Sequence, residues 1–406
     1  MSTAPEEAPR FPFPPSPVPY DPAPQTRDLR AKCPVSQVRL PDDSTAWLVM
    51  GFNEMREALT DQRYSRALLF KSDRELRGLE RYAAGGILSM DPPEHSRLRK
   101  LVAAAFTDRR IQALRPRVAR IVDDLVDAIL AGPRPADLSG AFSFALPASV
   151  LCLLFGVPTA DMEKFQEWTN TILGDWSRPP EILEAAFAAM SGYMSELIAR
   201  KRKTPEDDLI SVLVDARDSA GKLTEDELVL FCITLLTAGL QTTANTINMS
   251  FVALCQHPDQ LARLRDDPGL IPGAVEELLR YVNITGSGGI PLARVTREEV
   301  CLAGVTIPAG ERVLPVFIYA NRDPAAFDDP DRLDVGREPR THMSFGAGAH
   351  HCVGSQLARL ELQEAFRGLL TRLPGLRMAV PMSALEFREG QNIFSMRELP
   401  VTWDGA

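Results

Sequence analysis

The stretch that most restricts the fold of this chain is LVLFCITLLTAGLQTTANTINMSFVALC, Leu228 to Cys255. It is apolar on nearly every side, so as a helix it must be enclosed on all faces. TEDE just before it forms a capping box, in which Thr224 and Glu227 can each satisfy the other's backbone donor. At about 1.5 Å per residue such a helix crosses roughly the width of a domain. Gln241, Thr242, Thr243 and Asn245 break its apolar character in the middle, which argues against a membrane span. Gly239 weakens the helix there by about 1 kcal/mol relative to alanine, and the threonines can bond back to carbonyls one turn earlier. The sequence thus predicts either a local distortion that admits a small molecule or water, or a polar layer between packed helices.

A helix enclosed on all sides needs a large body around it. The chain has 406 residues, 45% hydrophobic and 24% charged, as expected of a globular protein with a sizeable core. Nine prolines between Pro5 and Pro24 set residues 1–30 apart as an extended arm along the surface. No linker-like stretch follows, so residues 31–406 read as one domain. A net charge of -9 excludes a nucleic-acid partner as the expectation. The N-terminus has no basic start followed by an apolar run, so neither a signal peptide nor a membrane anchor is expected. Six cysteines without a C-x-x-C pair point to a reducing cytoplasm rather than to disulfides or a zinc ribbon.

The remainder reads as amphipathic helices with a few strands. IVDDLVDAIL (Ile121 to Leu130) carries apolar residues every three or four positions, and FNEMREALTD follows the strand-like WLVMG. EEVCLAGVTIPAGERVLPVFIYANRD alternates around AG and PAG turns, as paired strands do. The fold class is mainly α with a small β-rich region.

Chemistry concentrates in FGAGAHHCVG, Phe345 to Gly354. Such a segment can hold zinc, a nucleophilic thiol, a phosphate or iron. Zinc needs about four ligands, and no second cluster supplies them. Glycines on both sides suit a planar body lying against the backbone, although a Cys–His nucleophile stays possible. GSQLARLELQEAFRGLLTRL then starts an amphipathic helix just after Cys352, whose N-terminus would stabilise a negatively charged sulfur. A thiolate bound to iron fits best.

On these residues the chain resembles the soluble bacterial cytochromes P450, which are haem-thiolate monooxygenases. The family pattern F-G-x-G-x-H-x-C-x-G falls on Phe345, Gly346, Gly348, His350, Cys352 and Gly354. The resemblance implies the family's triangular helical fold, haem b (iron protoporphyrin IX) as cofactor, Cys352 as the axial iron ligand, and His350 near a haem propionate. By the same match His95 and Arg99 in DPPEHSRLRK, and Arg294 in PLARV, are further propionate partners. Glu277 and Arg280 in EELLR match the family's structural ion pair, which Arg332 is expected to complete.

The family's oxygen-activating motif falls on Ala238, Gly239, Leu240, Gln241 and Thr242, with glutamine where an acid is usual. The resemblance makes Thr242 and Gln241 the catalytic candidates, and Gln241 cannot itself carry a proton. It implies hydroxylation of a small-molecule secondary metabolite by O2, or alternatively oxidative coupling or ring closure. Substrate walls are expected at Tyr64 to Met90, Trp168 to Trp176, Gly286 to Leu292 and Asn392 to Met396. The chain carries no reductase signature, so a separate ferredoxin or flavodoxin with its reductase is expected. The basic segments Arg97 to Lys100 and Arg109 to Arg117 read either as solvated helix faces or as docking sites for it.

Overall fold

The computed structural model describes residues 8–71, 84–103, 106–172, 179–218, 223–282, 284–285, 292–388 and 393–405. In chain order the first half contains α1 (Gln25–Lys32), β1 (Val35–Arg39), β2 (Thr45–Val49), α2 (Phe52–Thr60), β3 (Tyr64–Ser65), α3 (Ala67–Lys71), α4 (Glu94–Ala103) and α5 (Asp108–Ala131). Next come β4 (Ala136–Asp137), α6 (Ala145–Phe155), α7 (Met162–Ile172), α8 (Pro180–Lys203), α9 (Leu209–Asp218) and α10 (Glu225–Gln256). The remainder holds α11 (Pro258–Asp266), α12 (Ile271–Tyr281), β5 (Arg294–Thr296), β6 (Val300–Leu302), β7 (Val305–Ile307) and β8 (Arg312–Pro315). It closes with α13 (Phe317–Asn321), α14 (Ser355–Arg372), β9 (Arg377–Met378) and β10 (Pro400–Thr402).

The predicted central helix is α10, and its capping box is formed: Glu227 N donates to Thr224 Oγ1 at 3.1 Å and Thr224 N donates to Glu227 Oε2 at 2.9 Å. Its first half, Leu228 to Leu240, packs into a core with α6, α7, α8 and α9. Its second half, Ile247 to Leu254, packs into a separate core with α5, α12 and α14. The polar residues 241–245 fall at the junction of the two. Back-bonds occur as expected, from Thr237 Oγ1 to Ile233 O, Thr242 Oγ1 to Ala238 O and Thr246 Oγ1 to Thr242 O at 2.9, 2.7 and 2.7 Å. The helix runs unbroken through them, so of the two expected outcomes the structure has the polar layer between packed helices and not the local distortion. A π-helical turn lies on its neighbour instead, at Ser139–Phe144, leading into α6. By length and composition α8 and α10 could cross a membrane, yet α10 is the buried centre of this body.

The largest sheet joins strands from residues 35–65 to strands from residues 294–315 in the order β1-β2-β8-β5-β3, with β2 and β8 parallel and the other pairs antiparallel. The C-terminal β9 and β10 form a separate sheet with β4. The β6–β7 hairpin turns at Ala303 and Gly304, which have φ of 52° and 77°. The apolar run after β8 is helical rather than strand: Pro315 has no N–H to extend the ladder, and α13 begins at Phe317. The proline-rich arm is anchored, with Phe11 N donating to Arg39 O at 2.8 Å and Phe11 buried in the core beside the sheet. The boundary expected at residue 30 falls inside α1, which reaches Lys32.

The expected ion-pair group is corrected at one member. Arg280 on α12 donates through Nε and Nη2 to Glu277 at 2.7 and 2.8 Å, both side chains fully buried. The third member is Arg337, whose Nε reaches Glu277 Oε1 at 3.0 Å. Arg332 turns its guanidinium outward to Asp334 and offers only its carbonyl oxygen, to Arg337 Nη2 at 3.0 Å.

Candidate active site

A cavity of about 420 Å³ lies between α10, α4, α14, the Phe345–Gly354 loop and the strand that carries Arg294. The loop owes its shape to glycine. Gly346 and Gly348 have φ of 67° and 70°, in the left-handed region, and a Cβ on Gly348 would meet the Leu59 carbonyl oxygen. Gly346 N donates to Met343 O and Cys352 N donates to Phe345 O, both at 2.8 Å, which presents Cys352 at the cavity wall directly before α14. Burial pushes the Cys352 thiol up, while the Gly354 N–H and the cations of Arg99 and Arg359 pull it back.

Beneath the loop, Arg359 holds Glu276 at 2.7 and 2.9 Å and lies 4.5 Å over the Phe345 ring. Burial alone would raise the Glu276 carboxyl, but hydrogen bonds from His342 and Arg359 hold it at about 2. Phe345 is thereby fixed between a cation and the cavity.

A second wall is built of cationic and imidazole groups. His95 and Arg99, one turn apart on α4, line it together with Arg294, His350 and Arg66. The His95 and His350 rings are 4.2 Å apart. Burial, and then the nearby Arg294, brings His350 down to about 2, so it is neutral. Burial lowers Arg294 to about 10, where it remains cationic. Among the described residues neither Arg294 Nε nor His350 Nε2 has a hydrogen-bond partner. A buried guanidinium N–H without an acceptor is costly, and Arg66, Arg99 and Arg294 add positive charge, so this wall is built for anionic oxygens. The donor set, facing a thiol across one cavity, fits a flat group that carries carboxylates at its edge and a thiolate-binding metal at its centre. Haem b has that form.

On the remaining side α10 presents Ala238, Gly239, Thr242, Thr243 and Thr246. Gln241 is not among the lining residues: it is 1% exposed, and its Nε2 donates to Asn170 Oδ1 on α7 at 2.8 Å. The expectation that Gln241 acts directly at the cavity is therefore corrected, because its helical position turns it toward α7.

Two charged cavity residues are not singled out by the sequence, although the first lies within the expected wall Tyr64 to Met90. Arg66 is fixed by donating to Leu88 O at 3.0 Å and Ala293 O at 2.5 Å, and nothing in YSRALLF singles it out. Glu361 on α14 is 2% exposed; burial raises its carboxyl to about 8, with a Thr243 hydrogen bond opposing. In LARLELQEAF it looks like one more charge on a solvated helix face.

Of the expected substrate walls, Ile87, Leu88 and Leu292 line the cavity, with Phe231 and Leu235 from α10. Residues 72–83, 173–176, 286–291 and 392 of those segments lie outside the described residues. Trp168 instead packs on Phe165 and Tyr193, at 5.4 and 5.9 Å between ring centroids. Met396 is buried in the core, and Ile393 bridges to Thr285 at the cavity edge. In the basic segments Arg97 pairs with Glu227 and Arg115 with Glu364, whereas Lys100, Arg109, Arg110 and Arg117 are exposed.

Comparison with known proteins matches the Cytochrome P450 family model over residues 45–268 and 270–377. Nocardicin C N-oxygenase of Nocardia uniformis is 45% identical over 95% of this chain and 97% of its own. Mycinamicin IV hydroxylase/epoxidase of Micromonospora griseorubida is 45% identical over 93% and 94% of the two chains. The crystal structure of the LnmA cytochrome P450 hydroxylase from the leinamycin pathway of Streptomyces atroolivaceus superimposes with a TM-score of 0.90 at 41% identity, covering 98% of this chain and all of that one.

Proposed function

Because the chain belongs to the cytochrome P450 family and is a haem-dependent monooxygenase, we propose that Cys352 is the axial ligand of its haem. His95, Arg99, Arg294 and His350 hold the propionates, and Phe345, Gly346, Gly354 and Ala238 pack against the macrocycle. The convergence of Cys352, the unpartnered Arg294 Nε and His350 Nε2, and Thr242 on one cavity carries this reading. When bound, haem b supplies an iron whose thiolate ligand favours cleavage of dioxygen and insertion of one oxygen atom into substrate.

The chain's own residues do the rest. Thr242 Oγ1, parked on Ala238 O at 2.7 Å, can turn to donate toward the cavity. Glu361, protonated near neutral pH, stands behind Thr243 as a held proton. Ile87, Leu88, Phe231, Leu235 and Leu292 exclude water and present an apolar surface to the reacting carbon. The substrate is accordingly a secondary metabolite with an apolar skeleton, and relatives named as an N-oxygenase and a hydroxylase/epoxidase favour oxygen insertion over oxidative coupling.

Bacterial P450s draw electrons from separate carriers; here a ferredoxin docks on the exposed Lys100, Arg109, Arg110 and Arg117. Six free cysteines suit the cytoplasm. The test combines substrate-induced spin-state titration with oxygen-dependent turnover using ferredoxin and its reductase. An oxygenated product with a spin shift is expected, and its absence across apolar secondary metabolites would refute the substrate class. Arg109→Glu with Arg110→Glu should slow reduction by ferredoxin at low salt and not at high salt; equal rates at every ionic strength would refute the docking site.

A further inference from the structure

Oxygen insertion consumes protons: RH + O2 + 2 H⁺ + 2 e⁻ → ROH + H2O. Position 241, beside Thr242, holds an amide that cannot ionise. Around it is a feature the site leaves unexplained. Gln241, Asn245 and Asn248 are spaced i, i+4 and i+7 on α10 and share one helical face. They are 1%, 1% and 0% exposed.

Each gives its amide N–H to protein: Gln241 Nε2 to Asn170 Oδ1 at 2.8 Å, Asn245 Nδ2 to Gln241 O at 2.8 Å, and Asn248 Nδ2 to Ser139 Oγ at 2.9 Å. Each amide oxygen, however, has no hydrogen-bond partner among the described residues, and the hydroxyls of Ser143 and Ser250 share that condition. A buried polar group left unpaired costs about 1–3 kcal/mol, so five of them around one helix require a donor that can reach the interior. Water meets that need, and roughly one buried water per 27 residues is ordinary in proteins. Exchanging O and N of any of the amides replaces an orphan acceptor by an orphan donor, so the requirement stands.

The two ends of this face lead somewhere. Ser139 N donates to Asp137 Oδ1 at 3.0 Å, and the next residue, Gly140, is exposed. The π-helical turn Ser139–Phe144 packs against α10 here, and such turns locally widen a helix. At the other end Gln241 directly precedes Thr242, whose hydroxyl bonds Ala238 O at 2.7 Å, and Ala238 lies between their two faces on the helix.

We infer that a file of internal water runs along Gln241, Asn245 and Asn248, from the surface at Asp137 and Gly140 to Thr242, and delivers the protons of the reaction. A proton enters from bulk water at Asp137, hydrogen bonds shift along the file, and one proton leaves at Thr242 Oγ1 toward the dioxygen under reduction. The amides orient the waters and neither gain nor lose a proton, so they are positioning residues. The inference rests on the haem-monooxygenase reading above.

The test compares wild-type holoenzyme with Asn248→Leu and Asn245→Leu, which fill the file with apolar side chains at two different turns, and with Asn248→Ser, which leaves a hydroxyl and room for water. A wild-type crystal structure that resolves solvent should show waters bonded to Gln241 Oε1, Asn245 Oδ1 and Asn248 Oδ1. Either leucine variant that retains the reduced carbon-monoxide spectrum should lose product per electron pair by at least about tenfold, with peroxide in its place and a larger solvent deuterium isotope effect. Asn248→Ser should recover most of the yield. A dry groove in the wild type would overturn the inference, and so would leucine variants with unchanged peroxide yield and isotope effect. A wild type lacking the carbon-monoxide band would overturn the haem reading itself, and this route with it.

Discussion

Replacing Glu361 by glutamine should remove a pH dependence from the stability of the protein. The Glu361 carboxyl is 2% exposed, and burial raises its pKa from an ordinary 4.5 to about 8. An acid whose pKa is raised on folding binds its proton more tightly in the folded state. Its contribution is therefore full below about pH 4.5 and is lost as the pH rises through 8. At about 1.4 kcal/mol per unit, the 3.5-unit interval amounts to about 5 kcal/mol as an upper limit. Glutamine keeps the shape and can still accept from Thr243, but does not titrate. Urea denaturation of the holoenzymes between pH 5 and pH 9 should give nearly equal stabilities at the acid end. The wild type should then fall behind Glu361→Gln by several kcal/mol at the alkaline end. Parallel curves would show that the Glu361 site is solvated, and the idea of a proton held behind Thr243 would be lost.

Arg337→Ala leaves the buried Glu277 carboxylate short of a partner and should cost about 3 kcal/mol or more, whereas Arg332→Ala, an exposed guanidinium, should cost under about 0.5 kcal/mol by chemical denaturation. Gly348→Ala strains a φ of 70° and drives a methyl into the Leu59 carbonyl, so its haem content per protein, read from the Soret absorbance, should fall sharply. Thr224→Ala removes half of the capping box on α10 and should lower stability by about 1 kcal/mol in the same denaturation assay.

What could be read from the sequence was what is local. The loop around Cys352 declares itself because its glycines and its ligand lie within ten residues, and α10 declares itself through its apolar run and its TEDE cap. The ion pair Glu277–Arg280 is one helical turn and was equally plain. Its third member is not legible in the same way, because Arg332 and Arg337 share an irregular segment, where spacing does not say which guanidinium turns inward. The family motif assigns Gln241 to the cavity together with Thr242, although successive residues on a helix point about 100° apart; its partner, Asn170, comes from a different helix. Glu361 was hidden for a related reason. Its burial depends on α10 lying across α14, a contact between segments that no short window of sequence contains.

The central claim is a haem held by the Cys352 thiolate. The dithionite-reduced protein, with and without carbon monoxide, tests it most directly. The account predicts a strongly red-shifted Soret band in the wild type that is lost in Cys352→Ala. A wild type reconstituted with haem that gives no such band, or a Cys352→Ala variant that retains it, would contradict the account.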